Sequence, residues 1–184
     1  MDEETELLRD FLDGQRNHVL GILEGLSDEQ LRRPVLPSGW TCLGMIKHLA
    51  LADEHYWFRS VVGGESFDFF PSEPNADWQV GPGEPTDDVF GLYRDEIARS
   101  NAIIAATPLD APPRQPDPRW QEWGIDFPDL RFIMLHVITE TACHAGHAAG
   151  GLRVRPDPFR RSAVKQEPTR SHACTRWDGR ETPP

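Results

Sequence analysis

Four side chains that can bind a metal or move a proton lie within one apolar stretch, LHVITETACHAGHAAGG. They are His136, Glu140, His144 and His147. On a helix that turns about 100° per residue, they share an arc of about 80°. The apolar residues Ile133 and Val137 lie within or beside that arc, so this face is expected to be buried. Burying such polar groups unpaired would cost on the order of several kcal/mol, so we expect them to have partners.

A partner is predicted on another helix, in the stretch MIKHLALADEHYWF, where His48 lies among apolar residues. A histidine on one helix that faces a glutamate and a histidine one turn apart on another can form a mononuclear metal site. Imidazole and carboxylate ligands suit Zn²⁺, with Ni²⁺ or Fe²⁺ as alternatives. Three protein ligands leave positions open for water or substrate, which is typical of a catalytic metal and not of a structural one.

The same residues also have an ordinary structural interpretation. A glutamate and a histidine four residues apart can form a surface pair worth a few tenths of a kcal/mol, and a core histidine can simply bond a backbone carbonyl. Three further histidines are expected outside the site. His55 is predicted near solvent at a helix end, His18 exposed or at an interface, and His172 in the C-terminal tail.

Four segments with helical periodicity must position these residues. They cover about 3–26, about 42–62, a stretch opened by Thr86 or Asp87, and a stretch from near Pro128 to Gly150 or Gly151. Ser27 is expected to cap a short extra turn of helix, and Thr41 to cap the second long helix. No segment alternates with period two, so the sequence predicts an all-α four-helix bundle with long crossover loops.

The two long connections, 65–85 and 107–128, are rich in proline and contain tryptophans. Loops of this length inside a compact domain usually carry function or cover part of the fold. Trp78, Trp120 and Trp123 are therefore expected either to line the entrance to the metal site or to cover the ends of the bundle.

Composition excludes several classes of protein. The net charge of −11 argues against a nucleic-acid partner, and no glycine-rich phosphate loop is present. No apolar run reaches the roughly 18 residues of a membrane span, and the acidic N-terminus is unlike a signal peptide, so the cytoplasm is the expected location. The three cysteines form no CxxC pair; Cys42 and Cys143 are expected to be small packing residues, although the helix start could activate Cys42.

Charge divides the chain into two parts. Residues 1–152 carry 11 basic and 26 acidic residues, whereas residues 153–184 carry 8 basic and 4 acidic ones together with five prolines. We therefore predict a bundle over 1–152 and an unstructured basic tail over 153–184.

Two stretches, SGWTCLGMIKHLALADEHYWF and LRFIMLHVITETACHAGHAAG, with ADWQVGPGE between them, resemble the DinB superfamily of four-helix bundles. The resemblance covers about residues 5–152 and, more narrowly, the sequence resembles an actinobacterial branch. It implies a divalent metal held by His48, Glu140 and His144, a set similar to the His-Glu-His triad of mycothiol-dependent maleylpyruvate isomerase. His147 stands where glutamine is usual in the superfamily. It is expected to act as an acid/base or to orient a ligand by a hydrogen bond, and not to be a ligand itself.

The activity implied by the resemblance is that of a metal-dependent transferase or isomerase using a low-molecular-weight thiol. A metal with open positions lowers the pKa of a bound thiol or water, and His147 would then carry the proton. Two alternatives stay open from the residues alone: a metal-binding stress-response bundle without turnover, and a metal-dependent hydrolase. A small-molecule substrate is expected, and a homodimer is compatible with the resemblance.

Overall fold

The computed structural model describes residues 2–35, 39–69 and 71–153. These ranges contain six α-helices, one long π-helical segment and two 3₁₀ turns, and they contain no strand. The elements in chain order are α1 (Glu3–Leu23), α2 (Asp28–Arg32), α3 (Cys42–His48), the π segment (Leu49–Val62), the 3₁₀ turns Phe67–Phe69 and Ala76–Trp78, α4 (Thr86–Ala106), α5 (Arg119–Trp123) and α6 (Leu130–Arg153). The predicted all-α bundle is confirmed.

The helix starts follow from capping side chains. Both predicted caps are confirmed, because Ser27 accepts from the backbone N–H of Gln30 in a capping box and Thr41 accepts from that of Gly44 at 2.9 Å. The start of α6 lies slightly later than predicted, since Asp129 accepts from the N–H of Phe132 at 2.9 Å.

Helix α3 continues into the π segment without a break, and its backbone bonds then skip five residues instead of four. The N–H of Gly63, for example, donates to the carbonyl of Phe58 at 2.9 Å. This wider turn begins directly after His48. Residues five positions apart therefore come close to the same side of the helix, which a 3.6-residue period does not predict.

The long helices bury two adjoining apolar clusters. Helix α1 packs against α6, and α4 packs against the π segment. On α1, Leu7 and Phe11 belong to the helical period that predicts this helix but are exposed, at 55% and 59% accessibility. Phe132 and Leu135 on α6 are also exposed. The homodimer stays a prediction.

The crossover loops are more ordered than a plain loop prediction implies. The connection 65–85 contains both 3₁₀ turns, and the connection 107–128 contains α5. The predicted tail over 153–184, with His172 and Cys174, lies almost wholly outside the described residues, so the boundary at 152 stays a prediction. Among the described helices, none combines the length and the apolar character that crossing a bilayer demands.

Candidate functional site

The fold brings together two of the three predicted ligands, from opposite ends of the sequence. His48 is the last residue of α3, and His144 lies in the second half of α6. Their ring centroids are 5.1 Å apart, with the ring planes at 74°. Two imidazoles that share one ion, each bound through one nitrogen at about 2.1 Å, must approach each other about this closely.

The Nδ1 atom of His144 is buried, and no hydrogen-bond partner for it exists in the described part of the chain. Burial lowers the pKa of His144 to about 3, helped by the neighbouring charges of His48 and His147. The ring is therefore neutral at pH 7 and keeps a lone pair that nothing in the protein uses. Buried polar atoms are nearly always bonded, so this atom needs an explanation, and a neutral imidazole is a common metal ligand.

His48 is held by a turn that belongs to the first crossover loop. Its Nδ1 lies 2.5 Å from a carboxylate oxygen of Asp77, which leaves Nε2 for another partner. The indole of Trp78 stacks on the His48 ring with centroids 3.9 Å apart and planes at 18°. The same indole contacts His144 edge-on at 5.4 Å, so Trp78 lines the site, as one of the two interpretations of the loop tryptophans expected.

Glu140 lies one helical turn before His144, but no hydrogen bond or ion pair joins it to either histidine in the structure described here. Burial raises the pKa of the half-buried Glu140 carboxyl. Its charge also acts on Asp53, a fully buried residue five positions after His48, whose pKa is raised well above its usual range by burial first and by Glu140 second. The charges of Glu140 and Asp53 therefore oppose each other, and each carboxyl has a raised pKa.

Across residues 2–35, 39–69 and 71–153, no group of three or more His, Cys, Asp or Glu side chains is already arranged around one point as a metal site. The rings of His48 and His144 are close together, and the roles of His48, Glu140 and His144 as metal ligands stay predictions. His147 lies one turn beyond His144, is exposed, and has its ring centroid 6.3 Å from that of His144. That is a suitable place for a proton carrier that must exchange with water.

The other candidate residues lie apart from this pair. His136 packs edge-on between Trp57 and Phe127, at 4.6 and 5.0 Å, and burial lowers its pKa to about 4. His18 is exposed, as expected. The prediction for His55 was wrong, because the residue is only 8% accessible. Its ring stacks on that of Phe69 with centroids 3.4 Å apart, where the loop after the π segment folds back on it.

The structure also shows where Cys42, Cys143 and Trp120 lie. Cys42 is fully buried and burial raises the pKa of its thiol, which confirms a packing role. Cys143 is half-buried. Trp120 packs on Trp57 and Phe127 in the apolar cluster, so it covers the bundle and does not line the histidine pair.

Sequence reasoning missed Asp77 and Asp53. The signal for Asp77 was present in ADWQVGPGE, one of the three stretches that carry the family resemblance. Asp53 lies in SGWTCLGMIKHLALADEHYWF, another of these stretches, but a 3.6-residue period does not place it on the side of His48. The π-helical register brings these two residues closer to one side of the helix, and Thr141 on α6 donates to Asp53 at 3.4 Å.

A family model described as Mycothiol-S-transferase matches residues 7–157. The match extends across the histidine pair, the Asp77 turn and both crossover loops. It is consistent with the predicted resemblance to the DinB superfamily, of which this family is a member. Neither the curated proteins nor the solved structures contain a match. The chain therefore belongs to the mycothiol S-transferase family.

Proposed function

We propose that this protein is a metal-dependent transferase that joins the sulfur of mycothiol to an electrophilic carbon of a small molecule. Family membership supports the thiol and the reaction class. The observation that carries the metal is the buried His144 Nδ1, which has no partner in the described structure and lies in a ring 5.1 Å from that of His48.

His48, Glu140 and His144 would hold the ion. His48 offers the ring nitrogen that Asp77 does not occupy, and His144 offers its unused Nδ1. Glu140 would add a negative charge that offsets the charge of the ion. When bound there, a divalent ion would lower the pKa of a thiol that reaches it, so that thiolate is available near neutral pH.

His147 would accept the proton that the thiol loses. It lies one turn from His144 on the same helix and is exposed, so the proton can pass on to water. With 1-chloro-2,4-dinitrobenzene as the electrophile, a carbon–sulfur bond forms, chloride leaves with the carbon–chlorine bonding pair, and the thiol proton ends on His147 and then on solvent. Trp78, beside both histidine rings, would form one wall for the reacting groups.

Metal content measured by mass spectrometry on protein without a histidine tag tests the first half of the proposal. We expect close to one ion per chain, lost in His48→Ala and in His144→Ala. His18→Ala removes an exposed histidine on α1 and is the matched control, which should keep the ion. Wild-type protein that stays metal-free after incubation with Zn²⁺ and Ni²⁺ would contradict the site.

Thiol transfer tests the second half. We expect conversion of the chloro-dinitrobenzene to depend on added mycothiol, and His147→Gln to lower kcat by about 10²-fold or more while keeping the ion, as loss of a general acid/base does. A loaded protein with no thiol-dependent rate would be a binding bundle without turnover. Hydrolysis that needs no thiol would make it a hydrolase.

A further inference from the structure

We propose that Asp77 is a positioning residue for His48. Its carboxylate accepts a hydrogen bond from the Nδ1–H of His48 and so holds the ring in the tautomer whose Nε2 lone pair is directed to a ligand. Asp77 belongs to the crossover loop and not to a bundle helix. The position of the loop would therefore decide whether His48 can bind a ligand. The tautomer of His48 is a property of the metal-free protein, whereas the effect of Asp77 on ion affinity rests on the proposed function.

The contact between Asp77 and His48 is short and shielded from solvent. The two atoms are 2.5 Å apart, and the side chains of His48 and Asp77 are 17% and 9% accessible. Asp77 is one of few buried residues in a stretch whose preceding residues, from Ser72 to Asn75, are all exposed. A carboxylate buried on a surface loop needs a strong donor, and the described structure supplies the imidazole as that donor.

The turn that carries Asp77 is fixed to α3 at several points. Asn75 enters it in the left-handed region with φ of 60°. At Gly44 a Cβ atom would lie 2.1 Å from the carbonyl oxygen of Trp78, so only glycine allows the turn to approach the helix this closely. One turn further along α3, Lys47 Nζ donates to the carbonyl of Gln79 at 2.9 Å and to Glu84 at 2.9 Å.

These contacts restrict the His48 ring in two independent ways. Stacking on Trp78 fixes the plane of the ring, but a stacked ring can still carry its proton on either nitrogen. The acceptor at Asp77 removes that freedom, because only a ring with a proton on Nδ1 satisfies a carboxylate there. Carboxylates that bond a metal-binding histidine in this way orient the ring, and their loss typically weakens metal binding by about 10–100-fold.

The direct test is the tautomer of His48 in metal-free protein, read from its ring nitrogens by NMR at alkaline pH. Wild type should carry the proton on Nδ1. Asp77→Leu, which has no acceptor, should move it to Nε2 in most molecules. Asp77→Asn is isosteric and keeps an oxygen that can accept, so it should retain more of the Nδ1–H form. The matched control is Asp68→Asn, which removes an exposed carboxylate from the same loop.

Affinity for Co²⁺, measured by titration and by competition with Zn²⁺, gives a second readout. We expect Asp77→Leu to bind about 10–100-fold more weakly, Asp77→Asn to fall in between, and Asp68→Asn to match wild type. The proposal is overturned if wild-type His48 carries its proton on Nε2, or if Asp77→Leu keeps both the tautomer and the affinity. If no variant and not even wild type binds either ion, the proposed function fails, and the tautomer alone still decides the role of Asp77.

Discussion

Around Arg16 the bundle supplies a partner for each guanidinium nitrogen, whereas around His144 it leaves a buried ring nitrogen without one. Arg16 is 1% accessible, and its Nε and Nη2 donate to the two oxygens of Glu54 at 2.7 and 2.6 Å. Its Nη1 donates to Asp13 at 2.7 Å and to Asn101 at 2.8 Å. We call the Arg16 cluster the closed region, because its polar groups bond one another, and the His48–His144 pair the open region, because His144 Nδ1 can still bind a ligand.

The difference separates a structural polar cluster from a functional one. The Arg16–Glu54 pair links α1 to the π segment, and both carboxylate oxygens of Glu54 accept from the guanidinium of Arg16. The histidine pair links α3 to α6, yet the only side-chain hydrogen bond that the described structure gives it is the one from His48 to Asp77. Polar networks in which every group is bonded make a core rigid. A buried lone pair without a partner can instead bind a ligand, and this interaction is stronger in the protein interior than it would be in water.

The largest expected effect is the loss of the closed region. Arg16→Met leaves Glu54 buried without its cation, which should lower the free energy of unfolding by about 3–5 kcal/mol. Urea unfolding of the metal-free protein measures it. Asp13→Asn removes the partly exposed partner of Arg16 and should cost no more than about 1 kcal/mol. Replacing both members, in Arg16→Met with Glu54→Leu, should recover most of the loss; a double variant as unstable as the single one would contradict this account.

Acid should reveal a third buried group, His136, which lies on α6 among aromatic rings. Burial lowers its pKa to about 4 from an ordinary value of about 6.5. Between these values the unfolded chain takes up a proton that the folded chain refuses, so this contribution to stability is complete above about pH 6.5 and is lost as the pH falls toward 4. The slope is about 1.4 kcal/mol per pH unit, which amounts to about 3 kcal/mol over the window.

His136→Phe removes that proton uptake and keeps an aromatic ring against Trp57 and Phe127. We therefore expect the stability of wild type relative to this variant to decrease by about 3 kcal/mol between about pH 7 and pH 4, measured by urea unfolding at several pH values. His18→Gln, which removes an exposed histidine, is the matched control. A constant difference between wild type and His136→Phe across the window would show that the His136 ring is not shielded from water.

Gly44→Ala should damage the open region without touching the closed one. The new Cβ would lie 2.1 Å from the carbonyl oxygen of Trp78, a backbone atom, so the turn that carries Asp77 must move away from α3. We expect a loss of about 1–3 kcal/mol, as for overpacking, together with weaker Co²⁺ binding. Gly91→Ala, in α4 with no atom within 4 Å of the added carbon, should instead gain up to about 1 kcal/mol. Equal effects of the two substitutions would argue against a close approach at Gly44.

Helical period and capping residues were enough to predict the long helices, two of the caps and the all-α class, because these depend on local spacing. The same spacing placed His48 and His144 on buried faces, and their meeting was predicted from the chemistry of these residues and from the family resemblance. Helical spacing could not show that α3 widens into a π-helix at Leu49, because that register depends on tertiary packing. Asp53 was missed for this reason. Asp77 was missed for a related reason: which loop residue is buried depends on where the loop docks.

The smallest expected effect compares two partnerless atoms. The hydroxyl of Tyr93 is, with His144 Nδ1, the other buried side-chain atom in the described residues that lacks a hydrogen bond. It feels the charges of Glu54 and Arg16, and burial raises its pKa well above the usual range, so it stays neutral. Arg16 and Glu54 already bond each other, so they leave no hydrogen bond for this hydroxyl. Burying the hydroxyl therefore costs free energy that no hydrogen bond offsets. Tyr93→Phe should therefore leave the free energy of unfolding unchanged or raise it by up to about 1 kcal/mol, and leave the metal content as it was. A loss of more than about 1 kcal/mol would mean that the hydroxyl is bonded after all, and the lone nitrogen of His144 would then be weaker evidence for a ligand.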